Sequence, residues 1–142
     1  MTGIGKPAEV DERETRLLHQ AMPFAKTLGI EVVASGGDCV RARLSWSAEH
    51  CTADGVLHGG AIMALADSAG ATCAFLNLPD AATGTATIDS TTHFLRAVRK
   101  GYVEALSRPL HAGRSVIVVE TDVLDADGRL VARVTQTQAV LR

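Results

Sequence analysis

The sequence predicts an α+β fold in which an antiparallel sheet of about six strands wraps around one long central helix, preceded by a short N-terminal helix. Three observations predict it. Residues Gly55 to Leu76, GVLHGGAIMALADSAGATCAFL, form a nearly unbroken apolar segment of helical length with a single carboxylate, Asp67, in its middle. Beyond Gly84 the strand signals follow one another with no further helical pattern. The connections between those strands are short, and short connections favour antiparallel meanders over the long crossovers that parallel strands need.

Taken in order, Val10 to Met22 reads as a short amphipathic helix whose apolar stripe is Leu17, Leu18, Ala21 and Met22, and Pro23 ends it. Its expected place is across an edge of the fold. Gly29 to Ser35 and Cys39 to Trp46 alternate like strands on either side of the turn Gly36-Gly37-Asp38, giving a first hairpin. The long helix follows. Ala61, Ala64, Ala66, Ala69, Gly70, Ala71 and Ala74 make it thin, so a sheet can approach closely. Its apolar character on nearly every side predicts burial on nearly every side. After the loop Asn77 to Gly84, the segments Thr85 to Leu95, Tyr102 to Leu110, Ser115 to Leu124 and Leu130 to Leu141 carry β-branched residues or period-two alternation. Gly101, His111-Ala112-Gly113 and Asp125 to Gly128 mark the turns between them.

Composition bounds the function. A length of 142 residues, with 46% apolar and 21% charged content, suits one domain spanning residues 1–142. A net charge of −2 supplies no broad basic field for nucleic acid, so any anion recognition has to be local. The N-terminus, MTGIGKPAEVDERETR, carries charge where a signal peptide needs an apolar run, and Asp67 interrupts the only candidate membrane span. A cytoplasmic protein without a membrane partner is the expectation. Cys39, Cys51 and Cys73 form no CxxC pair and leave an odd thiol, and the five histidines lack the spacing of a zinc helix. There is no GxGxxG, Walker A or GxSxG motif. No metal or cofactor is expected.

The chemistry concentrates in the long helix. Asp is disfavoured inside a helix by roughly 0.5 kcal/mol relative to Ala, and a desolvated unpaired carboxylate costs several times more. Met63, Gly70 and Ala71, three and four positions away, offer no charge partner. Asp67 is therefore either a structural device bonded to backbone or buried water, or a functional group. Burial among Ala, Met and Gly would make it a better acceptor of a water proton. At the helix entrance, His58-Gly59-Gly60 places Gly59 where backbone N–H groups lack intrahelical partners and the helix dipole is positive. A glycine there also lets a carbonyl approach the backbone without a Cβ clash; a tight turn into a packed helix is the alternative reading.

His58-Gly59-Gly60, Asp67 nine positions after the histidine, Thr87-Ile88-Asp89, Phe94-Leu95-Arg96-Ala97 and Gly113-Arg114-Ser115 together resemble the hotdog-fold acyl-CoA thioesterases of the phenylacetate-pathway (PaaI) type. The resemblance spans residues 24–141. It implies a hotdog fold, hydrolysis of an acyl- or arylacyl-CoA to free acid and CoA, Asp67 as base or nucleophile, and the Gly59 N–H as polariser of the thioester carbonyl. It also implies a supporting role for His58, as helix cap or pocket wall, and a water-orienting hydroxyl on Thr87. Six positions before His58, where many members of the family carry Asn, this chain has Thr52, which lacks the amide's reach and its two N–H donors. Gly60, Arg96, Arg99, Lys100, Arg114 and Ser115 are the expected substrate-binding residues, the cations serving the nucleotide phosphates of CoA. Gly59 and Asp67 lie eight residues apart, about 12 Å along a helix, so one carbonyl is more easily served by two antiparallel helices of a homodimer. A homotetramer of such dimers is expected. The alternatives are a hotdog-fold hydratase or dehydratase, and a non-catalytic acyl-CoA binding protein.

Overall fold

A computed structural model of the protein describes residues 7–142; the start of the N-terminal segment, residues 1–6, lies outside the described residues. The first helix, α1 (Glu12–Ala21), begins where Asp11 Oδ1 accepts the Glu14 N–H at 2.9 Å. Pro23 ends it as expected and, because proline suits the first helical position, also opens a second short helix, α2 (Pro23–Leu28), that the sequence pattern missed. Gly29 closes α2 in the left-handed region at φ 76°. Thr15 and Asp11 bond the backbone of Val32, so α1 lies against the edge strand β1 (Glu31–Ser35).

The other strands are β2 (Val40–Ser45), β3 (Gly84–Phe94), β4 (Tyr102–Ala112), β5 (Val116–Asp125) and β6 (Leu130–Leu141), and all six pair antiparallel in the order β1-β2-β4-β5-β6-β3. The expected meander holds for β4-β5-β6. It fails for β3, which pairs with β6 at the far edge, Thr87 opposite Gln138 and Ser90 opposite Gln136. Residues 95–101 cross from that edge to β4. At about 3.3 Å per extended residue such a segment covers three inter-strand spacings of about 4.8 Å, so a short connection does not oblige consecutive strands to be neighbours.

The long helix, α3 (Gly59–Phe75), packs into the concave face of this sheet, with Ile62, Leu65, Ala66, Ala69, Cys73 and Ala74 buried against Val40, Leu44, Val103, Ile117, Val119 and Val134. It starts four residues later than the apolar run, because residues 51–58 form a clasp instead: Cys51 bridges Leu57, and Leu57 N–H bonds Val98 O. Burial is also one-sided. Met63, Asp67 and Phe75, four and then eight positions apart along one face, remain exposed. The helix is apolar all round, but the sheet of a single chain covers only part of its circumference.

The β5–β6 turn rests on Asp125. Burial pushes its carboxyl up, but hydrogen bonds from the Arg129 backbone and guanidinium and from Asp127 N–H outweigh this and hold it below its ordinary value of 3.8. Because the folded value is the depressed one, this stabilisation is present at neutral pH and is lost as pH falls through the acid range below about 4. Asp125→Asn should lower stability at pH 7 by about 1–2 kcal/mol. Thermal melts of the two proteins should converge as the pH is taken below that value.

Candidate active site

The clasp fixes the start of α3. His58 has the extended backbone of a helix cap, at φ −62° and ψ 134°, and its Nδ1 accepts the Gly60 N–H at 2.8 Å. A Cβ on Gly60 would lie 2.9 Å from that nitrogen, so the glycine is what lets the ring close the cap. The His58 carbonyl takes the N–H groups of Ala61 and Ile62 at 2.9 and 3.3 Å. Among the described residues this leaves the Gly59 N–H as the first-turn donor without an acceptor. Phe94 lies against the Gly59 α-carbon: a Cβ there would meet the ring at 3.1 Å.

Gly59 opens onto a cleft of about 350 Å³ whose walls include Thr52, Ile62, Phe94, Leu95 and Arg96. Three of the residues expected from sequence therefore meet: a hydroxyl, an unused N–H and a cation. Arg99 and Lys100 face a different cleft, of about 280 Å³, shared with Asp125, Asp127 and Arg129. Arg114 and Ser115 sit in the β4–β5 turn, where the Arg114 carbonyl accepts from Arg142 and the Ser115 carbonyl from Val140. That turn and residues 95–101 flank opposite ends of β4, about 30 Å apart for a strand of this length, so one chain does not bring Arg114 and Ser115 to Arg96, Arg99 and Lys100.

Asp67 stands two turns further along α3. Within this chain it is exposed, which corrects the expectation of a carboxylate buried among Ala, Met and Gly. It is not unpartnered either: Gln136 Nε2, from β6, donates to Oδ1 at 3.2 Å. Thr87, exposed on β3 beside the bulge at Ile88, accepts from Gln138 Nε2 at 2.8 Å. Sequence reading missed both glutamines. The available signal was parity, since Gln136 and Gln138 occupy the same alternating positions of β6 as the buried Val134. The thiol of α3 offers no rival nucleophile, because burial, with Cys39 beside it, pushes Cys73 up to about 11.

Further along α3, a cavity of about 510 Å³ opens between α1 and the end of the helix, lined by Leu17, Leu18, Met22, Ala71, Phe75 and Leu76. Ala71 is one helical turn from Asp67 on the same face.

Residues 54–132 match the thioesterase superfamily, more than half of the chain. The chain belongs to that superfamily. Proofreading thioesterase EntH of Cronobacter turicensis is 35% identical over 102 residues, covering 72% of this chain and 74% of the relative. The structure of thioesterase HI1161 from Haemophilus influenzae superposes with a TM-score of 0.84 at 28% identity, covering 95% of this chain and 94% of that one. A phenylacetic acid degradation protein PaaI from Thermus thermophilus, solved as a mutant, gives a TM-score of 0.76 at 28% identity over 84% of this chain and 99% of that one. The architecture above is accordingly a PaaI-type hotdog fold, and the protein is a thioester hydrolase. Among the described residues of this thioesterase, no helix is long and apolar enough to cross a membrane, and no three His, Cys, Asp or Glu side chains gather as a metal site.

Proposed function

We propose that this thioesterase hydrolyses an acyl- or arylacyl-CoA at a site shared by two copies of the chain, with Gly59 from one and Asp67 from the other. The observation that carries the reading is the disposition of α3: an unused N–H at its start and an exposed carboxylate about 12 Å further along a rigid rod. The attacked carbon must lie within about 3–3.5 Å of its nucleophile, with its oxygen at the polarising donor. Two antiparallel helices about a twofold axis meet that demand, because the start of one then faces the middle of the other. The open face supports the pairing. Met63, Phe75 and Ile88 are 41%, 57% and 60% exposed, and β3 is an edge strand whose outer side has no partner within the chain, leaving a row of backbone groups able to pair with another copy. A homotetramer of these dimers is the larger assembly proposed.

In this site, Asp67 takes a proton from water as the oxygen attacks the thioester carbonyl, and the charge developing on the carbonyl oxygen is met by the Gly59 N–H. Collapse of the tetrahedral intermediate breaks the C–S bond, releases the CoA thiolate, which takes up a proton, and leaves the free acid. In the nucleophilic variant Asp67 itself displaces the thiolate, and water then cleaves the mixed anhydride. Thr52 and Thr87 contribute hydroxyls near the attacking water, and His58 shapes the entrance by capping α3. The acyl group runs from Asp67 past Ala71 into the cavity between α1 and α3, whose volume of about 510 Å³ suits a medium-chain or aryl group.

A panel of aryl, short and long acyl-CoA substrates, followed by thiol release, tests the reading; no release from any of them would overturn it. Arg96 is the cation nearest the Gly59 cleft, so Arg96→Ala should raise KM for acyl-CoA about tenfold, the loss of roughly one charge-assisted hydrogen bond. The KM for the matching acyl-pantetheine thioester, which lacks the nucleotide phosphates, should not change. Arg114→Ala should show the same split only if another copy of the chain carries Arg114 to the nucleotide. Equal effects on both thioesters would reduce these cations to a solvated rim.

A further inference from the structure

We infer that Gln136 and Gln138 are positioning residues for the reaction, two buried amides that aim the Asp67 carboxylate and the Thr87 hydroxyl from behind. The inference rests on the catalytic reading of Asp67 given above. Both glutamines are fully enclosed, at 0% and 1% exposure, yet each spends its N–H on an exposed side chain of the candidate site: Gln136 on Asp67 Oδ1 and Gln138 on Thr87 Oγ1. They sit two residues apart on one face of β6, hence about 6.8 Å apart.

Stability alone does not explain Gln136. Its Oε1 is buried with no hydrogen-bond partner, a desolvation cost that an apolar residue at this core position would avoid. The packing makes a deliberate space for it. A Cβ on Gly70 would fall 1.7 Å from Oε1, so the amide fits only because α3 carries glycine there. Turning the amide over would point oxygen at the carboxylate, so the orientation is fixed by Asp67 itself.

The chemistry accounts for the choice of an amide. A lysine or arginine in this place would form an ion pair and compete for the charge that accepts the water proton. A neutral N–H holds one carboxylate oxygen in place and leaves Oδ2 free to face the substrate. Gln138 does the complementary job. By donating to Thr87 Oγ1 it occupies a lone pair of the hydroxyl and leaves the Thr87 proton to be given toward the open side.

The test is Gln136→Met, nearly equal in volume and without a donor. The expected result is a kcat lowered at least tenfold, a KM for acyl-CoA within twofold of the parent, and an unchanged or raised melting temperature because the orphaned oxygen is gone. Gln136→Asn, which keeps an amide but is too short to reach Asp67, should give the same loss of kcat and guards against a packing failure of the first variant. Neither change should further reduce the residual rate of Asp67→Asn, since the effect passes through that carboxylate. A kcat within threefold of the parent in either folded variant, or a fall matched by an equal loss of folded protein, overturns the inference. The two readings fail separately. If Asp67→Asn is inactive while Gln136→Met turns over normally, only the positioning role is lost; if Asp67→Asn is active, the catalytic reading goes with it.

Discussion

Replacing Asp67 with Asn is expected to leave a folded protein whose turnover falls by about 10²–10⁴-fold, the range typical for removal of a positioned base. The surroundings make this an unusually direct comparison. Asp67 is exposed in the chain, so no core contact is lost, and Asn Oδ1 can still accept from Gln136 Nε2 across the present 3.2 Å. Stability should therefore move by no more than about 0.5 kcal/mol, as for ordinary surface substitutions. What the amide cannot do is take a proton from water or attack as an anion. Thiol release from acyl-CoA, measured beside a thermal melt, separates the two effects. Parental kcat in a folded Asp67→Asn protein would remove both the base and the nucleophile roles at once.

The parts of this protein that sequence made legible are those fixed by local pattern. The alanine-rich run from Gly59 to Phe75 and the period-two segments from Gly84 onward need no distant information to declare helix and strand. The place of β3 does need it. Whether Thr87 meets a residue of β4 or Gln138 of β6 depends on a pairing decided far along the chain. The expectation that Asp67 is buried and without a partner failed for the same reason. Its helical neighbours at three and four positions were apolar, but the partner that matters, Gln136, lies 69 residues away, and the burial of one helix face depends on how far the sheet curls. Pro23 shows a different ambiguity, since a residue that ends one helix is also well suited to begin the next. The grouping of Arg114 with Arg96, by contrast, was correctable from sequence. Successive turns of a meander fall at alternate ends of the strands, so neighbouring turns along the chain are not neighbours in space.

Mixing two inactive proteins, Asp67→Ala and Gly59→Pro, should restore activity if the site is shared between chains. Proline at residue 59 removes the one N–H that the proposal requires while keeping the helix, because it falls at the first helical position. The local backbone favours the substitution. Gly59 is not among the positive-φ glycines, and His58 already holds the ψ of 134° that a residue before proline prefers. The obstacle is Phe94, whose ring would stand 3.1 Å from the new Cβ, but that side chain is 50% exposed and has room to give by a few tenths of an ångström. After dissociation and reassociation, half of the dimers formed at random are mixed. Each mixed dimer pairs the Gly59 of the Asp67→Ala chain with the Asp67 of the Gly59→Pro chain in one intact site, while its other site carries both defects. The mixture should therefore recover about a quarter of the parental activity, as the symmetry of a two-site dimer requires. Native mass spectrometry can count the mixed dimers in the same sample. Mixed dimers that form in the expected proportion and stay inactive would return both groups to a single chain, and the 12 Å between them, the length of about eight helical residues, would then have to be closed by a substrate pose that spans one helix.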